Sequence, residues 1–212
     1  LALLSSVWTW WPQTKSVAPQ ASAEEQVLTA NGAPVKEGTI AGIRVVTRDG
    51  TSGEALPFEV RRAQGKWTIP SHFNYPADGG IQVGETAGAV LNIPMGPLVS
   101  DDSARYGEYG VEDPLDATSG DGAGKRVTLR DEGGAVLVDV IIGKKKSGTD
   151  VYFVRRANES RIYTARVQPE NIKSSFESWV ETSLLKLAQS EVREVTIKDY
   201  SVNEETGSID KR

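Results

Sequence analysis

"KRVTLRDEGGAVLVDVIIGKKKSGTDVYFVRRANESRIYTARV", Lys125 to Val167, decides the fold. Four runs rich in β-branched and aromatic residues, "KRVTLRD", "AVLVDVIIG", "DVYFVRR" and "RIYTARV", are separated by the short turn sequences "EGG", "KKKSG" and "ANES". Connections this short join antiparallel neighbours, because a parallel crossover needs a dozen or more residues. The stretch therefore reads as a four-stranded antiparallel meander. Its second run, Val136 to Ile142, is nearly continuous in apolar residues, which places it centrally with both faces covered, whereas its neighbours alternate.

Upstream, "TIAGIRVVTRDG" sets Ile43 and Val45 against Arg44, and "LPFEVRRAQGKWTIP" alternates Phe58 and Val60, turns at Gln64 and Gly65, then alternates Trp67 and Ile69. These are half-buried antiparallel strands forming an N-terminal β-hairpin region. From about Gly80 to Ile93, Val83, Ala87, Val90 and Leu91 fall at helical spacing, and Pro94, Gly96 and Pro97 end the helix. Gly84 and Gly88 weaken it by about 1 kcal/mol each relative to alanine. After Pro169, "SSFESWVETSLLKL" puts Phe176, Trp179, Val180 and Leu184 on one face of a second helix, with Ser174 or Ser175 as its cap. The expected fold class is α+β: an antiparallel β-meander with two packed helices and the N-terminal hairpin.

At 212 residues the chain has room for one medium domain, or one and part of another, with a proper core. Its net charge of −5 argues against a nucleic-acid partner, since such binders gather Lys and Arg to neutralise phosphates. Cysteine is absent, which excludes disulfides, thiolate metal sites and cysteine nucleophiles, so stability rests on packing.

The N-terminus differs from the rest of the chain. "LALLSSVWTWWP", Leu1 to Pro12, has no charge and carries Trp8, Trp10 and Trp11 at its end. A membrane span needs about 20 apolar residues, so residues 1–12 read as the remnant of a membrane helix whose tryptophans lie at headgroup level. Residues 13–38, opening with "QTKSVAPQASAEEQ", read as a linker leaving a bilayer. Residues 39–190 form the α+β domain. Val192, Val195 and Ile197 repeat the spacing of Ile40, Ile43 and Val45, and the polar turn "KDYSVNEETGSIDKR" follows them, so residues 191–212 read as the start of a second, truncated repeat.

A family resemblance rests on a series of motifs in order. They are the strand end "WTIPSH" at Trp67 to His72, "YPAD" at Tyr75 to Asp78, "YGVEDP" at Tyr109 to Pro114, "IIGKK" at Ile141 to Lys145, "YFVRR" at Tyr152 to Arg156 and the closing "FESWVETSLLKL". Over about Ile40 to Tyr200 the chain resembles the bacterial domain-of-unknown-function family 4340. The resemblance implies a single-pass N-terminal membrane helix and a domain facing the periplasm or cell exterior. It also implies a protein partner in a membrane complex, in the company of gliding-type ABC transport components. It implies no catalytic residue.

Candidate chemistry is sparse. His72, the sole histidine, stands in "GKWTIPSHFNYPAD" beside Ser71, Asn74, Tyr75 and Asp78, with no G-x-S-x-G elbow, so it reads as a bend residue hydrogen-bonded to backbone. Trp67, Phe73 and Tyr75 are expected to clamp that corner by burial. "SGDGAGKR", Ser119 to Arg126, fails the phosphate-loop pattern at both ends and leads into a strand, which makes it a flexible surface hairpin. Asp113, Asp116 and Asp121 lack the calcium-loop order and read as a solvated loop. Lys144, Lys145 and Lys146 form a solubilising turn, and Arg155 and Arg156 end a strand where charge would discourage edge pairing. No residue is assigned as catalytic, cofactor-binding or metal-binding.

The expected function is that of a non-catalytic, membrane-tethered extracytoplasmic accessory or scaffold module associated with an ABC-type transport system. The alternative is an extracytoplasmic hydrolase with a carboxylate pair drawn from Asp78, Asp101, Asp102, Glu108 and Glu112, whose separation a sequence does not give.

Overall fold

The computed structural model describes residues 26–182, 193, 194, 196, 200–203 and 208–211. The chain divides into two units, Leu1–Val180 and Glu181–Arg212. In the first, strands β1 (Ile40–Arg48), β2 (Ala55–Ala63), β3 (Lys66–Ile69), β4 (Tyr75–Pro76), β5 (Met95–Ser100), β6 (Lys125–Asp131), β7 (Val136–Lys145), β8 (Tyr152–Arg156) and β9 (Ile162–Ala165) make one nine-stranded sheet. Its order is β4-β3-β2-β1-β6-β7-β8-β9-β5, antiparallel throughout. The meander is β6 to β9, and the N-terminal hairpin joins it through β1 against β6, Val45 opposite Val127.

Local chemistry explains the turns. Gln64 and Gly65 both have positive φ, 52° and 76°, the geometry of a two-residue hairpin turn whose twist matches its strands. A bulge in β1 at Ala41 and Gly42 shifts its register against β6. That extra residue lets Ile40 and Ile43, three apart, both face the core.

The core lies on one face of the sheet. Ile43, Val45, Phe58, Val60, Val127, Leu129, Val138, Val140 and Val154 meet the helix α1 (Ile81–Val90), together with Leu28, Ile172 and Trp179. Helix α1 buries Val83, Ala87 and Val90 as its periodicity requires, and Asp78 Oδ1 caps it by accepting from the Gly80 and Ile81 amides at 3.0 Å. It ends at Val90 rather than Ile93, because Asn92 turns to φ 55° and its side-chain amide brackets the Val35 N–H and carbonyl at 2.8 and 2.7 Å. The residues read as helix terminators run on instead into β5, which pairs with β9 at the sheet edge.

The opposite face is covered over part of its width. The short helix α2 (Tyr106–Tyr109) and Val111 pack on Ile141 and Ile162, with Phe153 and Val99 alongside. Gly124 and Gly143 admit this close approach, since a Cβ at either would stand 2.7 Å from the Gly110 carbonyl oxygen. β7 is therefore central and covered on both faces at Val140 to Ile142, as its apolar run requires.

Some expectations are corrected. The helix after Pro169 is one turn, α3 (Phe176–Trp179), because Val180 turns extended to bridge Ala77 and the Asp78 amide takes the Trp179 carbonyl. Ser175 makes no capping bond to the backbone; its hydroxyl meets that of Ser178. "SGDGAGKR" is a packed loop rather than a surface hairpin. Glu112 bridges Ala123 in parallel, and Gly122 fits against Gly107 where a side chain has no room.

The second unit contains a hairpin of β10 (Tyr200–Asn203) and β11 (Ser208–Lys211), with Val202 opposite Ile209. The stretch read as a polar turn is thus two strands, and its period-two alternation of Tyr200 and Val202 with polar residues is their signal. Leu184, and the Val192, Val195 and Ile197 of the expected repeat, lie outside the described residues.

Candidate interaction face

The sequence-selected residues are dispersed and separately engaged. His72 sits exposed on a Pro70–His72 turn, its Nδ1 3.0 Å from Ser71 Oγ and its ring stacked on Phe176 at 4.2 Å. Its partners are thus side chains, not the expected backbone groups, since the turn points the imidazole along the surface toward α3. Phe73 is not part of any buried clamp: it is fully exposed at φ 54°, a left-handed conformation that aims its ring outward. Trp67 and Tyr75 are half-buried, Trp67 against Gly79 and Tyr75 edge-on to Phe176.

All but Asp101 of the carboxylates proposed for a hydrolytic pair have other occupations. Asp78 caps α1, Asp102 caps the turn at Ala104, and Glu108 pairs with Arg105 at 2.9 Å, which holds that carboxyl below its usual range. Asp101 is exposed beyond β5, and Glu112 lies beneath Gly107 and Gly122. Asp113 shares Arg126 with Asp139, both at 2.7 Å, while Asp116 accepts from the Thr118 amide and hydroxyl. Among the described residues no group of His, Asp or Glu is placed to hold a metal ion.

The basic residues divide into two classes. Arg155 and Arg156 are buried, at 5% and 6% exposure, and do not blunt an edge, because β8 lies between β7 and β9. Arg155 donates to the carbonyls of Val111, Ala157 and Glu159 and covers the Tyr106 ring at 4.1 Å. Arg156 donates to the carbonyls of Thr29 and Val27 and pairs with Glu159. It thereby welds residues 27–29, within the stretch read as linker, to the sheet, where Leu28 and Ala30 also bond Ile93 and Leu137. Of the lysines read as a turn, Lys144 and Lys145 end β7 instead; Lys144 donates to the Gly107 and Glu108 carbonyls at the end of α2, and Lys145 reaches Asp150.

The other class faces out beside the bulge. Arg44 on β1 stands opposite Glu59 on β2 and Thr128 on β6, while Gly42 stands between Arg61 and Arg130. The absent side chain at Gly42 forms the floor of a groove of about 720 Å³, walled by Arg44, Arg61, Arg62 and Arg130, with Glu59, Asp131 and Glu132 among them. Arg61 bonds Glu59, Arg62 bonds Glu132, and Arg130 donates to the Gly134 carbonyl. Half-buried Arg44 has no side-chain partner among the described residues. Sequence reading missed this face because its arginines come from three strands and their convergence depends on β1 pairing with β6. The available signal was the alternation of Arg44, Glu59, Arg61 and Arg130 with core residues.

A nine-stranded antiparallel sheet with a few short helices agrees with the α+β meander read from the sequence. The family model for a domain of unknown function, DUF4340, matches residues 67–210, more than half of the chain. The chain belongs to the DUF4340 family. The match runs from Trp67 on β3 through the β10–β11 hairpin, and thus spans both units. No curated protein and no solved structure matches the chain. Among the described residues no helix is long and apolar enough to cross a membrane, and residues 1–25 lie outside them.

Proposed function

We propose that this DUF4340 domain is a non-catalytic accessory or scaffold module, tethered to a bacterial membrane through its N-terminal segment and facing the periplasm or cell exterior. Its partner would be a protein of a membrane complex, such as an ABC-type transport system. One observation carries the binding reading: apart from exposed Asp101, the candidate carboxylates serve separately as caps, an ion pair and a packed loop residue, whereas the arginines beside Gly42 converge on an open groove. Convergent polar groups in a concavity are the mark of a recognition site. The tether reading is supported by the uncharged, tryptophan-ended Leu1–Pro12 and the linker sequence behind it.

The test is protease accessibility of the product of the complete gene. In spheroplasts the domain should sediment with membranes and be digested from outside while a cytosolic marker survives. Recovery of intact protein entirely in the cytosol would overturn the reading.

A further inference from the structure

We propose that the arginine groove on β1, β2 and β6 binds an extended acidic segment of a partner protein, with carboxylates at alternate positions laid along β1. This rests on the accessory-module reading and gives its partner a chemistry. Gly42 and Arg44 are two residues apart on one strand, a separation of about 6.6 Å, which is also the repeat of same-side residues in an extended peptide. A carboxylate above Gly42 would lie between Arg61 and Arg130, its immediate neighbours in register on either side. The next carboxylate would meet Arg44, which has no side-chain partner among the described residues.

Guanidinium suits this occupant, because its planar fork pairs with a carboxylate through two parallel hydrogen bonds and is weakly hydrated. Arg61 is already held by Glu59 and Arg130 by the Gly134 carbonyl, so the donors are positioned before a ligand arrives. The acidic residues in the groove select among anions. Glu59, Asp131 and Glu132 would repel a continuous polyanion or a flat anionic bilayer, whereas carboxylates spaced along a strand pass between them. The chain's net charge of −5 opposes any broad anionic surface further.

The experiment titrates the whole chain, in detergent, with a fluorescent peptide of alternating aspartate and alanine, followed by anisotropy. Parallel arms use inorganic phosphate and vesicles rich in anionic lipid. Saturable peptide binding is expected, weakened by about tenfold or more in Arg44→Glu and in Arg130→Glu, and falling as salt rises. Lys145→Glu with Lys146→Glu, on a distant turn, should change it by less than about twofold. Gly42→Val supplies a variant that alters no charge: a Cβ there meets only Arg130 Cβ at 3.6 Å, an ordinary contact, so the fold is kept while the floor is filled. It should weaken the peptide by about fivefold or more with an unchanged melting temperature. Peptide binding that is absent, or lost equally in the Lys145 and Lys146 variant, overturns the proposal, as does binding of phosphate or vesicles in preference to the peptide. Such failure leaves the protease test of the tether untouched, because that test does not involve the groove.

Discussion

Two arginine sets in one sheet have opposite fates. Arg155 and Arg156 on β8 are buried, and their guanidinium groups are taken up by backbone carbonyls of segments folded over them. Arg44 and Arg130, on the neighbouring strands β1 and β6, face a groove, and Arg44 has no partner among the described residues. The residue type is the same, and so is its place on an antiparallel strand. The difference lies in what crosses each: α2 and Val111 cover Arg155 on the outer face and the segment at 27–30 covers Arg156 on the core face, while beside Gly42 the outer face stays open. A buried charge needs its hydrogen bonds completed, so the covered half had to supply carbonyls, and the open half leaves that capacity for a partner.

The largest expected effect sharpens the contrast from below. Beside Gly42 the sheet is covered on its core face, where fully buried Trp179 lies 5.9 Å from Phe58 of β2 and donates to the Lys173 carbonyl. Trp179→Ala should lose about 3–5 kcal/mol in urea unfolding. A loss under about 1 kcal/mol would show that the open half does not depend on that face. Half-buried Trp67, at the same corner, should cost less than Trp179 when replaced by alanine.

The boundary between the halves is the Asp113–Arg126–Asp139 cluster, where one partly exposed arginine serves two carboxylates. Arg126→Ala should cost about 1–2 kcal/mol, discounted for solvent screening, and more at low salt than at high. An effect equal to that of removing a buried arginine would place the boundary inside the covered half.

Smaller effects should follow on α1 and at the corner. Gly84 and Gly88 are exposed and a Cβ at either meets nothing within 4 Å, so each change to alanine should raise stability by about 1 kcal/mol. His72→Ala removes an exposed ring stacked on Phe176 and should cost about 0.5 kcal/mol or less, with function intact. Loss of function in a His72 variant that melts like the wild type would give that residue a chemical role.

How much was legible depends on the range of each interaction. The meander was readable because its turns are short and its strands sequential, and α1 because its burial obeys one period within ten residues. The joining of β1 to β6 was not, since both strands alternate and nothing local pairs Val45 with Val127. Arg155 and Arg156 were misplaced at an edge for the same reason: Arg156 answers carbonyls at Val27 and Thr29, far upstream. Phe73 was expected to be buried because aromatic residues usually are, and its exposure stems from two successive left-handed residues, Phe73 and Asn74, which no residue-type preference foretells. The groove was hidden because a glycine at a bulge shows its use only when the neighbours on both sides are known.

The contrast between committed and uncommitted arginines is tested most directly by paired urea unfolding of Arg156→Ala and Arg44→Ala. The account predicts a loss of about 3 kcal/mol for Arg156, whose removal takes a charged donor from the Val27 and Thr29 carbonyls and breaks the pair with Glu159, and a change within about 0.5 kcal/mol for Arg44. Equal losses at the two positions, or a larger one at Arg44, would contradict it.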